Sequence, residues 1–169
     1  MADFRAQIIE ELPHLRRYSR ALLCGDPDAA DDLVQACIER ALSRRGLWRR
    51  KSRLRSWLFT IMHNIFVNDV TTAARRRALL AEHGQTETMT VPDHDVRLEA
   101  QEVMTAIGKL PEEYRAALCL VTLEDFSYEE AARILGIPVG TLMSRLHRAR
   151  AQLREMTGEA GRPRLKRVK

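Results

Sequence analysis

Apolar residues recur at helical spacing along most of the chain, and the places where that spacing fails divide it. Phe4, Ile8, Leu12, Leu15, Leu22 and Leu23 form a stripe over residues 4–23, with Pro13 expected to break or kink it. Gly25 closes this segment. Asp26-Pro27 reads as an N-cap followed by proline in the first turn. The next helix is then expected from Asp28 to Ser43, burying Ala30, Leu33, Val34, Cys37, Ile38 and Ala41. Ser52 is a candidate cap for a long third helix over 53–80, with Leu54, Trp57, Leu58, Ile61 and Ile65 on its apolar side. Thr60, Asn64, Asn68 and Thr71 or Thr72 repeat along a different face of that helix.

The apolar period disappears over residues 82–95, which collect Gly, Pro, Thr and Asp as a linker does. Four further helices are expected over 96–108, 112–123, 128–135 and 139–156. Pro111 stands at the start of the second of them. Ser127, with Glu130 three residues on, makes a capping box for the third. The spacing therefore predicts an all-α protein of two small helical domains, 1–81 and 96–156, joined by a flexible linker over 82–95. Residues 157–169 read as a basic, disordered tail.

Composition agrees with helices: aromatics are only 5% of the 169 residues, and the 45% of hydrophobic residues suffices for a packed core. The formal net charge is +5, and its distribution says more than its sum. Arg44, Arg45, Arg49, Arg50, Lys51, Arg53 and Arg55 follow one another with no acid among them, and Arg75, Arg76 and Arg77 are consecutive. From Gly25 to Glu39 the charges are instead Asp26, Asp28, Asp31, Asp32 and Glu39. The chain thus offers one surface to an anion and another to a cation. Cys24, Cys37 and Cys119 form no C-x-x-C pair and read as free, buried thiols of a reducing cytoplasm. No run long enough to insert in a membrane is present. His14, His63, His83, His94 and His147 have no metal-ligand spacing, and no catalytic motif occurs, so neither an enzyme nor a bound cofactor is expected.

The most specific pattern is the run from Phe126 to Arg150, a helix-turn-helix. Ala131 and Ala132 keep its first helix slim, Gly136 permits the sharp turn, and Ile137 and Val139 are expected to anchor that turn in the core. Leu142, Leu146, Ala149 and Leu153 give the second helix an apolar face. The opposite face carries Thr141, Ser144, Arg145, His147, Arg148 and Arg150. A helix fits the major groove, where its N-terminal residues reach base edges. Thr141 and Arg145 are the best candidates for base contacts, with Ser144 and Arg148 nearby, while His147 and Arg150 suit phosphate.

These residues carry a family resemblance. Gly140 to Arg150 resembles the G-T-x-x-S-R-x-x-R-A-R pattern of region 4.2 of bacterial sigma factors, and Leu110-Pro111-Glu112-Glu113-Tyr114-Arg115 resembles the opening of region 4.1. Asp31-Asp32-Leu33-Val34-Gln35, with Arg40-Ala41-Leu42, resembles region 2.2, although Ala36 stands where Glu is common. Trp57-Leu58-Phe59-Thr60-Ile61, with Asn64, Asn68, Asp69 and the three arginines, resembles regions 2.3 and 2.4. The resemblance covers residues 5–155, and the lack of regions 1.1 and 3 points to the extracytoplasmic-function group.

The resemblance implies a DNA-binding subunit of RNA polymerase. Asp31, Asp32, Gln35 and Glu39 would meet the β′ clamp coiled coil of the core enzyme, and the second domain its β flap. Trp48, Arg49, Arg50, Lys51, Asn64, Asn68, Arg75, Arg76 and Arg77 would bind and open the promoter −10 element. Thr141, Ser144, Arg145, His147, Arg148 and Arg150 would read the −35 element. It also implies an anti-sigma factor as partner, a cytoplasmic location and a link to stress response. Two rivals differ in kind: a sigma mimic that titrates an anti-sigma factor without touching DNA, and a free-standing regulator, which leaves residues 1–80 unexplained.

Overall fold

The computed structural model describes residues 2–24, 26–48, 53–81 and 98–157. Seven α-helices occur among them: α1 (Ala2–Leu22), α2 (Pro27–Ser43), α3 (Leu54–Ala81), α4 (Leu98–Lys109), α5 (Glu112–Thr122), α6 (Tyr128–Leu135) and α7 (Val139–Met156), with a 3-10 turn over Arg45–Leu47. The expected linker, 82–95, lies outside the described residues, as does the tail from 158 onward.

Local chemistry accounts for the helix ends. The Asp26 side chain accepts a hydrogen bond from the Ala29 amide at 2.9 Å, and Pro27 opens α2 with its φ already helical. Ser127 and Glu130 complete the expected capping box, each side chain taking the other residue's amide. Gly136 ends α6 at φ +64°. There the Ile137 amide returns to the Ala132 carbonyl and the Gly136 amide to that of Arg133, the double closure that a left-handed C-terminal residue permits.

Pro13 departs from expectation, since α1 runs through it. The ring removes one amide bond, to the Ile9 carbonyl, but Pro13 lies on the exposed side of the helix, where water can hydrate the freed oxygen.

Helices α1, α2 and α3 pack on one another, and α5, α6 and α7 form a second trio, with α4 lying against α1 and α7. The two trios do not stand apart. Helix α1 packs on α5, and α3 packs on α6, so one continuous apolar core runs through both. This is why α3 buries more than its expected stripe. Phe59, Met62, His63 and Phe66 are buried as well as Leu58 and Ile61. A helix covered on two sides shows no clean amphipathic period. Phe59 is the pivot, with ring centroids 5.1 Å from Tyr18 on α1 and 5.0 Å, edge-on, from Phe126 beyond α5. Such aromatic pairs add about 0.5–1.5 kcal/mol each beyond the area they bury.

Smaller departures follow from the same packing. Ile38 and Cys24 are only half-buried, while Cys37 and Cys119 are buried, and the three thiols are free. Burial pushes the Cys37 and Cys119 thiols up to about 12, which makes them poor nucleophiles at neutral pH. Val139 is exposed and does not anchor the helix-helix turn; Ile137, half-buried against the core, does so without it. Among the described residues no helix is long and apolar enough to cross a membrane.

Candidate nucleic-acid interface

The recognition face of α7 forms as its sequence requires. Leu142, Leu146 and Ala149 are fully buried, which turns Thr141, Ser144, His147, Arg148 and Arg150 outward, all exposed. The Ser144 hydroxyl donates to the Gly140 carbonyl at 3.1 Å, leaving its lone pairs outward. Arg148 donates to the Tyr114 hydroxyl at 3.3 Å, and that bond, more than any neighbouring charge, raises its guanidinium above the ordinary value. It stays cationic at any pH of interest.

Arg145 is the exception on this face. Its side chain is only 23% exposed, and its Nη2 pairs with the Glu113 carboxylate of α5 at 2.9 Å. It also lies close enough to His63 of α3 for its charge to be felt there. His63 is buried, with Nδ1 lacking any hydrogen-bond partner. Burial first, and the Arg145 charge second, lower the imidazole to about 4, so it is neutral at pH 7.

On α3, Asn64 and Asn68 are exposed one turn apart, as the polar stripe requires. Thr60, Thr71 and Thr72 turn their hydroxyls back onto carbonyls four residues earlier, at 2.7 to 2.8 Å, and so offer less outward. Arg75, Arg76 and Arg77 fall on the C-terminal part of α3, and their side chains lie outside the described residues, as do Arg49, Arg50 and Lys51. Trp48 is half-buried with its ring 5.2 Å from Phe4, so at least one of its faces covers the core.

The acidic face of α2 is open. Asp31, Asp32, Gln35 and Glu39 are all exposed. Gln35 donates to Glu39 at 3.0 Å, and neither aspartate makes an ion pair with a described residue. Such an unpaired carboxylate pair remains available to a cationic partner.

A third cluster corresponds to no sequence motif. Glu124, in the connection between α5 and α6, has a fully buried side chain whose oxygens are taken by the first trio. Arg17 Nε donates to Oε1 at 2.7 Å, Arg55 Nη2 to Oε2 at 2.7 Å, and His14 Nδ1 to Oε2 at 2.9 Å. With Nδ1 donating to the carboxylate, the arginine nitrogens 3.2 Å from it are charged neighbours and not donors to it. Arg17 and Arg55 also donate to the Leu123 and Glu124 carbonyls, at 2.7 and 2.9 Å. The Glu124 hydrogen bond is the main reason the Arg17 guanidinium is held above its ordinary value. No local pattern marks Glu124: in the sequence it is a loop acid like any other.

Among the described residues no group of three acidic, histidine or cysteine side chains is placed to hold a metal ion. The chain matches two family models, the "Sigma2 domain of PhyR" over residues 8–63 and "Sigma-70, region 4" over residues 100–153. It is 41% identical over 152 residues to the ECF RNA polymerase sigma factor EcfG of Rhodopseudomonas palustris, covering 89% of this chain and 83% of that protein. Among solved structures it resembles the sigma factor RpoE bound to the anti-sigma factor NepR from Bartonella quintana, at 31% identity and a TM-score of 0.80, covering 96% of this chain and all of that one. It shares the fold of the anti-anti-sigma factor PhyR from the same organism, at 19% identity and a TM-score of 0.60, over 90% of this chain but 49% of that one.

Proposed function

Because the chain belongs to the extracytoplasmic-function sigma factors of bacterial RNA polymerase, we propose that it divides the work of promoter recognition among α2, α3 and α7. It acts in the cytoplasm as a subunit that carries out no chemistry of its own. The observation that carries this reading is the pairing of an exposed basic recognition face on α7 with an exposed acidic face on α2. A free-standing regulator has no use for the second.

In this division Asp31, Asp32, Gln35 and Glu39 dock on the basic β′ clamp coiled coil, and the second trio meets the β flap. Asn64 and Asn68 present paired donors and acceptors to bases of the −10 element. Unpairing those bases costs a few kcal/mol, offset when a flipped base is held by protein. Trp48, Arg49, Arg50 and Lys51 precede α3, where such capture belongs, and Arg75, Arg76 and Arg77 hold phosphate. Thr141, Ser144, Arg145 and Arg148 address the −35 element, with His147 and Arg150 on the backbone. An anti-sigma factor is the expected inhibitor, as the NepR-bound relative illustrates for itself.

The rival is a mimic that binds an anti-sigma factor and leaves DNA alone. Against it stands the full basic face of α7, and the likeness to PhyR is one of fold only. Run-off transcription from a genomic promoter library with purified core polymerase separates the two: transcripts that appear only when the protein is added support a sigma factor, and their absence supports the mimic. Within that assay, Asn68→Ala is expected to impair promoter opening, read by permanganate footprinting, more than duplex binding. Equal loss of both would remove Asn68 from strand separation.

A further inference from the structure

We propose that the segment Glu124-Asp125-Phe126 is a latch that holds the two helical trios closed in the free protein, without any inhibitor. Two neighbouring side chains of one trio plug into the other. The Glu124 carboxylate is fully buried and satisfied by Arg17, Arg55 and His14, all from the first trio. Phe126 is buried edge-on to Phe59, and the Arg55 guanidinium lies 5.0 Å from its ring. Asp125, between them, has φ +53°, the one left-handed residue other than glycine among those described. That backbone costs free energy, and it sends both flanking side chains inward while Asp125 itself stays exposed.

The seam is close elsewhere too. Arg115 on α5 donates to the Leu22 carbonyl at the end of α1 at 2.6 Å. A Cβ on Gly108 of α4 would come within 3.1 Å of the Cys24 Cβ, so only glycine lets these two elements approach so far.

Closure has a consequence that rests on the sigma-factor reading. Arg145 of the −35 helix sits against Glu113 and within the field of His63, the residue next to Asn64 of the −10 helix. Helices α3 and α7 both pack on α6, and two surfaces held that close cannot cover separate promoter elements, because duplex DNA rises about 3.4 Å per base pair. The closed chain is therefore unable to engage both elements, and release of the latch is a step that precedes promoter binding.

The test compares the full-length chain with Glu124→Gln, which removes the charge that Arg17 and Arg55 share, and with Gly108→Leu, which wedges α4 from Cys24 while favouring the helix itself. Small-angle scattering reads the size, circular dichroism the helicity, and titration with a random-sequence 20-base-pair duplex the release of α7. A closed chain of this length has a radius of gyration of about 16 Å before its tails are added. Either variant is expected to keep its helicity, to expand by roughly 4 Å, and to bind the duplex about threefold more tightly. A wild-type chain already expanded, or helical variants no larger than wild type, would overturn the latch. If one variant loses its helicity, the size of the other decides; loss in both shows a single folding unit with no hinge, which also overturns the latch. Expansion without tighter DNA binding would retain the latch and overturn its hold on α7. Failure of run-off transcription by the wild-type protein sinks the functional reading and leaves the size comparison standing.

Discussion

The acidic face of α2 and the basic face of α7 are treated differently by the chain that carries them. On α2, Asp31 and Asp32 project into solvent with no described cation beside them. On α7, Arg145 is held by Glu113, and Arg148 by the Tyr114 hydroxyl. A surface left unpaired is ready for a partner on first encounter, whereas one engaged internally must give up contacts before it binds. The difference warns that exposure and pairing, and not residue type alone, decide how much of a charged face is usable.

The open acidic face is the simplest to disable. If α2 docks on a basic coiled coil as proposed, reversing both charges, Asp31→Lys with Asp32→Lys, sets like charges against it and is expected to cost about 4 kcal/mol of core-polymerase affinity, near a thousandfold. Thermal stability should scarcely change, since both side chains are exposed. Retained affinity in a binding titration would move the polymerase contact elsewhere.

Acid tests the held side. His63 titrates near 6.5 when unfolded and at about 4 when folded. The folded state therefore binds fewer protons than the unfolded state between those values. The burial of His63 carries no protonation penalty above pH 6.5, an increasing one as the pH falls toward 4, and a constant one below. Its full size is up to about 3 kcal/mol. In denaturant titrations from pH 7.5 to pH 4, the stability difference between wild type and His63→Gln should be constant at the top of that range and shift toward the bottom, with the wild type losing more. Parallel curves would mean that His63 is not buried beside Arg145 in solution.

The smallest expected effects sharpen the contrast within α7 itself. Arg145→Ala should lose about 1–3 kcal/mol of affinity for a −35 sequence once transcription has identified one. Glu113→Gln should do the reverse, tightening binding by under about 1 kcal/mol, the scale of a partly exposed ion pair. If Glu113→Gln weakens binding instead, the 2.9 Å pair positions Arg145 for DNA and does not restrain it.

The parts of this molecule that were legible in its sequence are those written in local chemistry. Asp26 and Pro27, the Ser127 and Glu130 box, and Gly136 each act on residues within one turn of themselves, and each sits where the pattern puts it. The apolar faces of α2 and α7 likewise need only one partner surface. Long-range features were not legible. Phe59 is buried between Tyr18 of the first trio and Phe126 of the second, and nothing within α3 announces it. Glu124 is separated from Arg17 and Arg55 by most of the chain, so its burial depends on tertiary placement that no short pattern encodes. The contact between the two trios escaped the pattern for the same reason: a gap in periodicity marks where helices stop, not whether their faces meet again.

Gly136 carries one more implication. Its torsion is φ +64°, yet a side-chain carbon there would meet nothing within 4 Å. Handedness, not room, keeps the position achiral. A mirror-image residue resolves the conflict: D-alanine, introduced by chemical ligation, prefers this torsion and stiffens the denatured chain. It should raise stability by about 0.4–1 kcal/mol in a thermal melt, where L-alanine lowers it.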